Sequence, residues 1–273
     1  MKISNKKEFK LGVYVVVICI LIIISNLFDK NNNFFKEIKE AKNVEETEEI
    51  KQIEETKEIL IADDNNYEKY VYLTFDDGPS VNVDKLLDLL DEYNAKATFF
   101  MVGMSVENWP HLAKKVFDRG HSVGMHSYSH SDKIYEDIEN FKDDLDKCEV
   151  VFKNAIGFTP NIYRLPFGSL NRYLSDENLE LISNELINRG YNYFDWNVST
   201  GDGSNKTSSD DIYINAIRGM DEQEMPVILM HDTNNNTMNA IEYILQYGYI
   251  KKYKYDILTN DTKIVRYEPQ NGG

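Results

Sequence analysis

His126 and His130 lie four residues apart in the run His126-Ser127-Tyr128-Ser129-His130. At that spacing two imidazoles share one face of a helical turn and can clamp one cation. Carboxylates must complete such a site, because Cys19 and Cys148, the two cysteines of the chain, form no zinc motif. Asp76 and Asp77 follow an apolar run, and neighbouring strand residues point to opposite faces. One can therefore bind a metal while the other handles a proton; the alternative is a plain Asp-Gly-Pro turn. A His-His-Asp set leaves positions open for water and substrate, as a hydrolytic zinc site requires. His231 ends another apolar run and, when protonated, suits a leaving-group acid. Asp195 can tune it, since a nearby carboxylate favours the imidazolium. Trp196 is either core or the aromatic wall of a sugar site, and His111 and His121 read as surface or packing residues.

The elements that would carry these groups alternate between two textures. The spacing predicts strands over Tyr70–Phe75, Ala97–Val102 and Ser122–Met125, then Asn161–Leu165, Tyr191–Phe194, Pro226–Met230 and Tyr253–Leu258. Between them it predicts helices over Val83–Tyr93, His111–Arg119, Ile134–Ile156, Ser175–Arg189, Asp210–Arg218 and Met238–Tyr247; Gly120 and Gly157 stop the second and third. Repeated βα units imply a parallel sheet, closed or nearly closed into a barrel. Asp76 and Asp77, His126, Arg164, Asp195 and His231 each fall at the C-terminal end of a predicted strand, the face where such barrels build active sites.

Five ordered motifs resemble those of the polysaccharide deacetylases, carbohydrate esterase family 4 with the NodB homology domain. They are Thr74-Phe75-Asp76-Asp77-Gly78-Pro79, His126-Ser127-Tyr128-Ser129-His130, Arg164-Leu165-Pro166-Phe167-Gly168, Asp195-Trp196 and Leu229-Met230-His231-Asp232. The resemblance spans roughly Tyr70 to Leu258 and is specific as an ordered set. It implies an α/β fold, a distorted (β/α)7 barrel, and one divalent metal, usually Zn2+, with Co2+, Ni2+ or Mn2+ as alternatives. It implies Asp77, His126 and His130 as ligands, Asp76 as general base held by Arg164, and His231 as general acid tuned by Asp195. The Phe167 N–H would help bind the oxyanion, and Trp196 and Leu229 would shape the pocket for the acetyl methyl. Many members carry tyrosine where Phe167 stands, which removes a hydroxyl but leaves the backbone donor.

The rest of the chain says where such an enzyme would work. Lys2, Lys6, Lys7 and Lys10 precede the apolar run Leu11–Phe28, whose length is near the roughly 20 residues that cross a bilayer. Residues 1–30 are therefore expected to be a cytoplasmic tail and transmembrane helix, with the remainder outside the cell; a cleaved signal peptide is the alternative. Residues 31–66 form a charged, glutamate-rich linker, and 67–273 the catalytic domain. A net charge of -16 argues against nucleic acid as a partner, which needs a basic face. No protein partner is indicated. A domain tethered to the outer membrane face points to peptidoglycan as substrate, at its N-acetylglucosamine units. Chitin-type oligosaccharides, exopolysaccharide and acetylxylan are the alternatives, and a non-catalytic glycan-binding protein on the same fold is the alternative of another class.

Overall fold

The computed structural model describes residues 67–267 except Asn205. The expected transmembrane run and the whole of the expected linker, residues 31–66, lie outside the described residues, among which no helix is long and apolar enough to cross a membrane.

The chain folds as a curled, all-parallel sheet, a half-barrel flanked by helices. In chain order its elements are β1 (Lys69–Asp76), α1 (Val83–Glu92), β2 (Ala97–Met101), α2 (Gly103–Asn108), α3 (Pro110–Asp118) and β3 (Ser122–Met125). A 3-10 turn (Asp132–Tyr135) follows, then α4 (Ile138–Ile156), β4 (Ile162–Tyr163), α5 (Asp176–Asn188), β5 (Asn192–Tyr193) and β6 (Val198–Ser199). The last elements are α6 (Ser209–Glu222), β7 (Val227–His231), α7 (Asn235–Ile250) and β8 (Tyr253–Tyr255). The strand order is β5-β4-β3-β2-β1-β7-β6, and β8 pairs with the start of β1.

β1 is central because its last residues are apolar or buried on both faces, as a parallel strand covered by helices requires. Its Phe75 stacks on Phe99 of β2 at 5.2 Å between ring centroids. Helix α1 turns Leu86, Leu87 and Leu90 inward, all fully buried; truncating one such leucine to alanine costs about 2–5 kcal/mol. Parallel pairing aligns the C-terminal ends of the strands, so Asp76 on β1 sits in register with His231 on β7.

Three departures from the sequence expectation have local causes. The helix expected over Ile134–Ile156 is broken, because Asp137 adopts extended backbone (φ -153°) and its side chain caps α4 by accepting from Glu139 N–H. Helix α2 and the two-residue strand β6 are too short to show periodicity. The strands expected over Asn161–Leu165 and Tyr191–Phe194 shrink to two residues each; past the second, Asp195 N–H donates to the Val265 carbonyl instead of to a neighbouring strand.

Candidate active site

Asp76 is the last residue of β1 and is almost fully buried. Burial raises its carboxyl above the usual range, and the Arg164 guanidinium opposes that shift. Arg164 is itself completely buried. Its Nη1 donates to Asp76 Oδ1 at 2.8 Å and to Thr74 Oγ1 at 2.6 Å. Its Nε and Nη2 donate to the carbonyls of Phe194 and Asp195 at 3.1 and 2.9 Å, and the guanidinium lies 4.2 Å from the Phe100 ring centroid. A charge this deep is tolerated because it is paired and its donors are used.

Asp77 does not leave the strand by simple alternation of faces. It turns into the left-handed region (φ 73°), which brings its carboxylate into the same pocket as Asp76. There it meets the two histidines. His126 follows β3, and its Nδ1 lies 2.8 Å from the Arg164 carbonyl. A carbonyl only accepts, so Nδ1 carries the hydrogen and Nε2 presents a lone pair. Burial pushes the His126 pKa down to about 3, keeping the ring neutral. His126 Nε2 and His130 Nε2 lie 3.6 and 3.2 Å from Asp77 Oδ1. That oxygen is buried without a hydrogen-bond partner among the described residues, and the three ligand atoms lie within 4.8 Å of one another. An orphaned anionic acceptor facing two imidazoles is the donor set a divalent cation fits. Ser127 and His130 also have positive φ, 61° and 51°. Left-handed non-glycine residues cost energy and concentrate where function demands the geometry.

His231 is met by a carboxylate that the sequence reading did not single out. Asp202 Oδ1 accepts from His231 Nδ1 at 2.9 Å, and Oδ2 accepts from the His231 N–H at 2.7 Å. Thr237 Oγ1 donates to Oδ2 and Asn234 Nδ2 to the Asp202 carbonyl, both at 2.6 Å, which fixes the loop. Desolvation alone would lower the imidazole pKa. The Asp202 hydrogen bond and charge, with Asp76 and Asp77 behind it, overcome that and lift it to about 9. His231 is therefore an imidazolium at neutral pH, with Nε2 toward the pocket, 3.9 Å from Asp77 Oδ2.

Asp195, expected at this position, is fully buried and makes other bonds, accepting from Ser169 N–H, Ser169 Oγ and Tyr267 N–H. The signal for Asp202 is present in the sequence as Gly201-Asp202-Gly203. A carboxylate between two glycines after a short β-branched run is a turn that can swing back to a strand end.

Phe167 lies in the turn Leu165–Gly168 with φ 67°, and its ring packs edge-on against His130 at 4.8 Å. Phe167, Trp196 and Leu229 line one cavity of about 380 Å³ together with Asp76, Asp77, His126, His130 and His231. Burying one acetamido group needs only part of that volume, leaving room for the sugar ring. His121 is buried against Phe99, and His111 lines a shallow groove with Trp109, away from these residues.

The chain matches the profile of the polysaccharide deacetylase family over residues 63–181. It is 32% identical over 198 residues to a peptidoglycan-N-acetylglucosamine deacetylase of Bacillus cereus, covering 69% of this chain and 68% of that protein. Among solved structures, it is similar to the catalytic domain of a peptidoglycan N-acetylglucosamine deacetylase from Eubacterium rectale. That similarity has a TM-score of 0.70 and 34% identity, and covers 77% of this chain and 96% of that one. A polysaccharide deacetylase from Bacillus cereus is similar at a TM-score of 0.66 and 31% identity, covering 73% and 97%.

Proposed function

The chain belongs to the polysaccharide deacetylase family of hydrolases, and from that premise we propose that it hydrolyses the N-acetyl group of N-acetylglucosamine units in peptidoglycan, releasing acetate. The observation that carries this reading is the placement of a buried carboxylate, Asp76, and an imidazolium, His231, beside three converging metal-ligand atoms. The curled sheet is read as a distorted (β/α)7 barrel.

Asp77, His126 and His130 would hold the cation, read as Zn2+, with Co2+, Ni2+ or Mn2+ able to replace it. Such an ion supplies Lewis-acid polarisation of the acetyl carbonyl and lowers the pKa of water. Asp76 takes the proton from the attacking water, its other oxygen held by Arg164. The Phe167 N–H donates to the oxyanion of the tetrahedral species. His231 gives its Nε2 proton to the departing amine, and Asp202 stabilises the charge before transfer. Trp196 and Leu229 enclose the methyl group.

The run Leu11–Phe28 is read as a membrane anchor with a cytoplasmic N-terminus, placing the catalytic domain within reach of the wall. Acetate release from purified wall, chitooligosaccharide and acetylxylan, measured side by side, tests the substrate. Release fastest from wall supports peptidoglycan, and release from acetylxylan alone would contradict it.

A further inference from the structure

We propose that Asp195 is a positioning residue whose carboxylate fastens the oxyanion turn to a C-terminal strap, residues 265–267, making the strap a working part of the active site. The proposal rests on the reading of the Phe167 N–H as an oxyanion donor. The turn Leu165–Gly168 is closed by Gly168 N–H donating to the Leu165 carbonyl at 2.9 Å. Pro166 occupies its second position and Phe167, at φ 67°, its third. That is a type II arrangement, whose third position ordinarily takes glycine. Phenylalanine persists there only if its surroundings over-determine the conformation.

Asp195 supplies much of that constraint. Its Oδ1 accepts from Ser169 N–H at 2.9 Å and its Oδ2 from Ser169 Oγ at 2.5 Å, directly after the turn. The same Oδ2 accepts from Tyr267 N–H at 2.9 Å, and Asp195 N–H donates to the Val265 carbonyl at 2.8 Å. One fully buried carboxylate therefore joins two segments about 100 residues apart in sequence, as their numbers show. The strap has its own anchors: Arg266 Nε donates to the Tyr193 carbonyl at 3.0 Å, and the Tyr267 ring meets Trp196 edge-on at 5.5 Å. Trp196 in turn presses on the turn, since a Cβ at Gly168 would lie 2.9 Å from its Cη2. An oxyanion donor works by being in place before charge develops. Loosening this clamp should therefore reduce turnover while leaving substrate affinity nearly intact.

The test is steady-state acetate release by the metal-loaded full chain on chitooligosaccharide, with thermal unfolding to verify folding. In Asp195→Asn an amide accepts at only one of the two positions, so Ser169 or Tyr267 N–H is left facing a donor. The expected result is a kcat lower by about 10- to 100-fold with KM within about 3-fold. In a Phe167→Gly background the turn needs no holding, and the same change should cost less than about 3-fold relative to Phe167→Gly alone. Tyr267→Pro, which removes the strap's donor, should follow the same pattern. Should Asp195→Asn fail to fold, Ser169→Ala carries the same cycle. Equal losses in both backgrounds, or an undiminished kcat in folded Asp195→Asn, would overturn the clamp while leaving the deacetylase reading intact. No acetate release by the unmodified chain would defeat both together.

Discussion

Asp202, and not Asp195, is the carboxylate that meets His231: the two side chains share a hydrogen bond of 2.9 Å between Oδ1 and Nδ1. His231, the proposed acid, is therefore held protonated by a loop residue between β6 and α6 rather than by the end of β5. Replacing Asp202 with Asn removes the charge that lifts His231 toward about 9. We expect the basic limb of the pH–kcat profile to move to lower pH and kcat at pH 7 to fall, on the order of 100-fold for a general acid. Asp195→Asn should leave that limb in place. A profile of Asp202→Asn with an unmoved limb would assign the acid elsewhere.

Asp76→Asn should abolish turnover while metal binding persists, because Asp76 accepts a proton without belonging to the ligand set. Loss of a general base costs on the order of 100- to 10,000-fold. Metal analysis and acetate release on the same preparation check both halves of the statement.

His121 gives the fold a stability that depends on pH. Its Nδ1 accepts from Ala97 N–H at 3.2 Å, tying the start of β2 to the residue that precedes β3. Burial, with smaller opposing contributions from Lys96 and Arg119 on one side and Asp91 on the other, lowers its pKa to about 4. The folded state therefore keeps the ring neutral where the unfolded chain, titrating at the ordinary 6.5, takes up a proton. Stability is fully present above pH 6.5 and falls as pH drops from there toward 4. The loss is on the order of 3 kcal/mol at about 1.4 kcal/mol per unit. His121→Gln should flatten this part of the curve of unfolding midpoint against pH; an unchanged slope would contradict the assignment.

Gly78→Ala should be poorly tolerated. A Cβ there would stand 2.6 Å from Asp232 Oδ2, the oxygen that accepts from Ser80 N–H. The loop after Asp77 would have to shift, carrying with it a proposed metal ligand. We expect weaker metal retention in a folded protein, read by chelator competition.

Much of this site could be read from the chain alone, and the physics explains which parts. Asp76, His126 and His231 end or follow apolar strands, so their strand-end placement was visible in the hydropathy pattern. Arg164 could be placed because Ile162 and Tyr163 before it are core residues. Asp77 reaches the pocket through a positive φ, which strand alternation does not foresee. Asp195 and Asp202 lie seven positions apart around a strand of two residues, too short for any periodicity. The strand-end position of Asp195 and the resemblance of Asp195-Trp196 to a family motif favoured that carboxylate, whereas the loop geometry brings Asp202 to His231. The break between the 3-10 turn and α4 is likewise a matter of one capping side chain, Asp137.

Asp77, His126 and His130 are proposed to hold one divalent cation on which hydrolysis depends. Metal content and acetate release of the purified full chain, with and without chelation, and of the Asp77→Ala, His126→Ala and His130→Ala variants, test it most directly. The expected result is about one ion per chain, as a single three-ligand site holds, acetate release that vanishes on chelation and returns with Zn2+, and depleted metal in all three variants. Hydrolysis undiminished after complete metal removal, or full metal content with two of the three ligands replaced, would contradict it.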